Sequence, residues 1–69
     1  MFIETTEQNH RQTVYIRADR VSGMKVWPIP HSDETRTEVF LAGGPETVMV
    51  ADSAEALMQR IREELDLRR

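Results

Sequence analysis

The chain has 69 residues, no cysteine, and nine Lys+Arg against twelve Asp+Glu, for a formal net charge of −3. This length makes one small domain, 1–69. The missing cysteines exclude disulfides, thiol catalysis and cysteine-ligated metals, and the acidic excess disfavours duplex nucleic acid, which usually demands a basic surface.

In chain order, the start Met1-Phe2-Ile3-Glu4 lacks the basic opening and long apolar stretch of a signal peptide. No apolar run approaches the ~20 residues of a membrane helix, so a cytoplasmic protein without membrane insertion is expected. Phe2 to Thr6 reads as a first strand and Gln12 to Arg17 as a second, joined by the polar, turn-prone Glu7-Gln8-Asn9-His10-Arg11. Val21 to Trp27 reads as a third strand, in which Gly23 marks a bulge or a close backbone approach. Pro28 and Pro30 forbid a central strand and predict an extended loop over 28–34. Thr35 to Leu41 and Glu46 to Ala51 alternate on either side of Ala42-Gly43-Gly44-Pro45, the best hairpin signal in the chain.

Strand character covers 1–51, and 52–67 reads as the C-terminal helix. Asp52 with Glu55 fits an acidic capping box, with Ser53 as the alternative cap. Ala54, Leu57, Met58, Ile61 and Leu65 fall within about a 100° arc, a core-facing stripe. Leu67 lies off that arc, so Leu67-Arg68-Arg69 is expected to fray, and the two arginines suit the negative end of the helix dipole.

Period-two reading sorts the strands into two faces. One collects Ile3, Val14, Ile16, Met24, Val26, Val39, Leu41, Val48 and Val50. The other collects Phe2, Tyr15, Trp27, Phe40 and Met49 among charged residues, and holds all four aromatics of the protein. The expected fold is α+β: a small antiparallel sheet of four or five strands, bent or forming an open barrel, with one C-terminal helix packed on the aliphatic face. The predicted core is Ile3, Val14, Ile16, Val26, Val39, Leu41, Val48, Val50, Leu57, Met58, Ile61 and Leu65.

One helix covers one side of such a sheet. Four aromatics left in water would forgo several kcal/mol, at ~25 cal/mol per Å² over ~150–250 Å² each. A domain this small buries only ~60% of its extended-chain surface and usually needs a staple. The expectation is therefore a non-catalytic protein–protein interaction module that self-associates as a homodimer or higher oligomer. Its aromatic face, Phe2, Tyr15, Trp27, Phe40 and Met49, is expected to meet a second copy or another protein together with the 28–34 loop. The alternative is a small RNA-binding regulator in which Arg11, Arg17, Arg20 and Lys25 act beside Tyr15, since aromatics interleaved with cations stack on single-stranded bases.

Catalytic chemistry finds little footing. His31, Asp33 and Glu34 share one Pro-flanked loop with no second histidine nearby, and read as a solvated loop rather than a metal site. Ser22, Ser32 and Ser53 lack the base and orienting group of a nucleophilic site. Gly43-Gly44 has neither P-loop nor dinucleotide spacing. No enzyme, cofactor or metal is expected.

Three stretches carry a family likeness: Ala18-Asp19-Arg20-Val21, Thr37-Glu38-Val39-Phe40-Leu41-Ala42-Gly43-Gly44, and Val50-Ala51-Asp52-Ser53-Ala54-Glu55-Ala56-Leu57. They resemble the Asn-Ala-x-x-Ile, Thr-x-Ile-x-Leu-x-x-Gly and Val-x-Glu-Ser-x-Glu-Glu-Val pattern of the FlbD/SwrD-type small proteins of bacterial flagellar and swarming loci. The resemblance implies a bacterial accessory protein acting through protein contacts; phage genomes also hold small domains of this shape. The 28–34 insertion, the Trp27-Pro28 junction and Arg17 in place of asparagine depart from the pattern. RNA regulators of the carbon-storage type share the element order, but their signature loop before the helix is missing here.

Overall fold

A computed structural model describes residues 2–67. β-Branched and aromatic residues alternating with polar ones build five strands: β1 (Phe2–Thr6), β2 (Thr13–Arg17), β3 (Val21–Pro28), β4 (Thr35–Leu41) and β5 (Thr47–Val50). A 3-10 turn, Ala18–Arg20, links β2 to β3, and helix α1 (Ala54–Asp66) follows β5. The fold is α+β, as expected.

All pairing is antiparallel. β1 and β2 form one sheet; β3, β4 and β5 form another in that order. The two sheets are stitched where β1 leaves its hairpin, by an isolated bridge between Glu7 and Val50. Flanking it, Gln8 N–H donates to the Met49 carbonyl and Ala51 N–H to the Thr6 carbonyl, both at 2.9 Å. β2 and β3 each have a single strand partner, so the sheets do not close.

Directly opposed residues of an antiparallel pair share a face. The register sets Ile3 against Ile16, and Met24 and Val48 on either side of Val39, so the aliphatic set points inward. Ile3, Ile16, Ala18, Val39, Val50 and Leu57 are buried, with Val14, Val21, Met24, Leu41, Val48 and Ile61 packed around them.

Three predicted core residues stand outside this cluster. Val26 is 51% exposed because it sits on edge strand β3, past the stretch Val21–Met24 that lies beside the helix. Met58 and Leu65 are exposed because α1 stands off from β3 and leaves an open groove of about 480 Å³ between them. In their place the core takes Ala18 from the 3-10 turn, together with two threonines, Thr5 and Thr37.

Those threonines converge on Asp52. Thr5 Oγ1 donates to the Asp52 carboxylate, and Thr37 Oγ1 to its main-chain carbonyl at 2.8 Å, so one residue ties both sheets to the start of the helix. Arg60 Nη1 lies 3.6 Å from the same carboxylate. With Asp52 so engaged, the N-cap is Ser53, whose Oγ accepts from Ala56 N–H at 3.2 Å, and not the Asp52–Glu55 box. Leu67 at the C-cap is exposed; Arg68 and Arg69, expected to complement the helix dipole, lie outside the described residues.

The bulge predicted at Gly23 is present as a register shift between Val21 and Gly23. Residues 29–34 form a closed β3–β4 connection, not a free loop: Ile29 N–H donates to Glu34 O at 3.1 Å and Ser32 N–H to Ile29 O at 3.2 Å. Pro28 is tolerated in a strand because β3 is an edge.

Candidate interaction surface

The five residues expected on one aromatic face point outward but divide between the two sheets. Trp27, Phe40 and Met49 lie on the three-stranded sheet, and Phe2 and Tyr15 on the β1–β2 hairpin.

On the three-stranded sheet Glu38 gathers two donors. Trp27 Nε1 donates to Glu38 Oε1 at 3.0 Å, and Thr47 Oγ1 donates to Glu38 Oε2 at 2.9 Å. Lys25 Nζ sits 4.2 Å from the Trp27 ring centroid, a cation–π contact. Phe40 and Met49 are half-buried in this surface. The indole N–H is thus partnered within the chain, while Trp27 is 37% exposed and the buried Nε of Arg36, opposite it, has no hydrogen-bond partner among the described residues.

The hairpin surface is different. Phe2 is 58% and Tyr15 66% exposed, and the Tyr15 hydroxyl has only a long contact, 3.4 Å, to Glu4 Oε1. The rings flank a groove of about 590 Å³ between β2 and the β4–β5 turn. Arg17 and Arg20 line it. Arg17 is clamped two-pronged on Asp19, Nε to Oδ1 at 3.2 Å and Nη2 to Oδ2 at 3.0 Å. The Arg20 carbonyl accepts from Ala42 N–H at 2.7 Å, which holds the β4–β5 turn beside the 3-10 turn. Gly43 is favoured there by its φ of +93°, since the space beside Arg20 would admit a Cβ in ordinary contact.

The four cations of the nucleic-acid alternative are not brought together. Arg17 and Arg20 share the groove; Arg11 sits in the β1–β2 turn at the other end of the hairpin, and Lys25 belongs to the outer surface of the other sheet.

The residues weighed for catalysis are engaged locally. Ser22 Oγ donates to Phe40 O at 3.2 Å, Ser32 Oγ accepts from Glu34 N–H at 3.0 Å, and Ser53 caps the helix. His10 Nδ1 lies against Glu7 Oε1 at 2.5 Å, and His31 turns through a positive φ of +61° inside the 29–34 connection. Among the described residues no three His, Asp or Glu side chains gather as metal ligands would.

Sequence reasoning missed the open edge of β2 and the Arg20–Ala42 hydrogen bond. The first had a signal: Thr13–Arg17 contains no glycine or proline. The second had none, because it depends on the 3-10 turn meeting a hairpin more than twenty residues away.

No family model matches the chain, and comparison with curated proteins and with solved structures likewise finds no match.

Proposed function

We propose that this chain is a non-catalytic protein-interaction module that self-associates through the β1–β2 hairpin. The observation that carries the reading is the exposure of Phe2 and Tyr15, 58% and 66%, on a sheet of only two strands. Two strands alone are marginal in water, and burying two aromatic rings supplies what a chain of this size lacks. The satisfied indole N–H of Trp27 and its lower exposure, 37%, centre the contact on the hairpin and leave the three-stranded sheet secondary. The resemblance to FlbD/SwrD-type accessory proteins supports the same non-catalytic role.

Sedimentation velocity at micromolar concentration tests this. The expected result is an assembly of the wild type that Phe2→Ser with Tyr15→Ser reduces to monomer without loss of secondary structure. A wild type that stays monomeric contradicts it. The RNA-binding alternative rests on Arg17 and Arg20 beside Tyr15 and Phe2 in one groove. It requires salt-sensitive binding of single-stranded RNA that Arg20→Glu abolishes.

A further inference from the structure

The two outermost strands meet water in different ways. β3 has a bulge between Val21 and Gly23, a lysine at position 25 and Pro28 at its end, three features that obstruct the addition of another strand. β2 has none of these. Its ladder with β1 runs unbroken from Thr13 to Arg17, and its other edge has no strand partner among the described residues. Alternate residues therefore keep N–H and C=O groups free along that edge, a template for strand addition.

Building on the self-association reading, we infer that β2 pairs antiparallel with β2 of a second copy about a two-fold axis at Tyr15, with Arg11 of each copy latched to the partner's Asp19. The register follows from face matching and charge. Opposed residues share a face, so only positions of like parity can pair without setting inward Val14 or Ile16 against outward Tyr15. Among the registers that remain, only the one centred on Tyr15 overlaps all of Thr13–Arg17, placing Thr13 against Arg17 and Val14 against Ile16. The same register brings the turn that carries Arg11 toward the partner's 3-10 turn, which carries Asp19, on both sides of the axis.

Neighbouring registers lose overlap and charge matching together. Centred on Val14, Arg17 meets the partner's Arg11 twice; centred on Ile16, Asp19 meets Thr13 and Arg11 meets Val21. Arg11 suits the role, because it is exposed, leaves its turn at φ +56° and has no ion-pair partner among the described residues. The Asp19 side chain, 35% exposed, accepts from Arg17 at both oxygens and keeps a lone pair on each for a second donor. The Tyr15 rings meet on the axis, where aromatic pairs add to burial.

The chain has no native cysteine, so engineered thiols report the register directly. Cα atoms opposed across an antiparallel pair are ~4.5–5.5 Å apart, within disulfide reach. Thr13→Cys should not cross-link to itself, but should do so when mixed with Arg17→Cys. Independently, Arg11→Asp and Asp19→Arg should each weaken assembly roughly tenfold or more. Mixing these two variants should restore it, because every like-charged pair of the two homodimers becomes an opposite-charged pair in the mixed dimer. Circular dichroism matching the wild type keeps misfolding apart from lost pairing. Self-cross-linking of Thr13→Cys, or assembly indifferent to both charge reversals, overturns the register and leaves self-association standing. A monomeric wild type overturns both and leaves the β2 edge to a strand of another protein.

Discussion

Replacing Thr37 with valine tests the internal architecture at its most constrained point. Thr37 is fully buried, and its hydroxyl donates to the Asp52 carbonyl at 2.8 Å, so Thr37→Val keeps the shape and removes the donor. A buried acceptor left without its partner costs ~1–3 kcal/mol. The whole domain, at ~0.05–0.15 kcal/mol per residue, is worth only about 3–10 kcal/mol. A loss of about 2 kcal/mol lowers the thermal midpoint by roughly 8–16 °C in a domain of this size. Thr37→Ser keeps the hydroxyl and loses one methyl, about 1 kcal/mol. Thr5→Val should cost less than Thr37→Val, because the Asp52 carboxylate it abandons is 39% exposed and water replaces the lost donor. Thermal and urea unfolding followed by circular dichroism, at one fixed chain concentration, measures all three. A Thr37→Val variant as stable as the wild type refutes the claim that Asp52 clamps the two sheets to the helix.

The other expectations concern packing, backbone and surface. Leu57→Ala empties the centre of the fully buried helix contact and should cost ~2–5 kcal/mol in denaturant unfolding, enough to leave a large unfolded fraction. Ser53→Ala removes the helix cap and should cost ~0.5–2 kcal/mol, with reduced amide-exchange protection confined to the first turn of α1. Gly43→Ala forces a side chain into a positive φ and should destabilise by ~1 kcal/mol or more, whereas Gly44→Ala, with open space at its Cβ, should stay near the wild type. Tyr15→Ser should leave monomer stability nearly unchanged in dilute solution and act on assembly alone, since its ring is mostly in solvent.

How much of this was legible in the sequence depended on how local each signal is. The strands, to within one residue at their ends, the Gly43 turn and the Gly23 bulge follow from residues that read their own backbone, while Pro28 ends in β3 instead of the loop. Parity sorted inward from outward residues along most of the strands, Val26 at the open end of β3 excepted. It did not carry the bend between the sheets, which separates Phe2 and Tyr15 from Trp27 because β1 and β5 meet only near Glu7 and Val50. Thr5 and Thr37 looked like ordinary strand residues, and their burial depends on an Asp52 that is distant from Thr5 in sequence. Met58 and Leu65 obeyed the helical arc; their exposure comes from the stand-off between α1 and β3, which helical periodicity does not encode.

The central claim is that the β1–β2 hairpin mediates self-association in solution, and sedimentation equilibrium of the untagged wild type measures it most directly. The account predicts a mass of twice the 8.0 kDa chain at micromolar concentration, falling to the chain mass in Phe2→Ser with Tyr15→Ser. A wild type that sediments as a single chain across that range contradicts it.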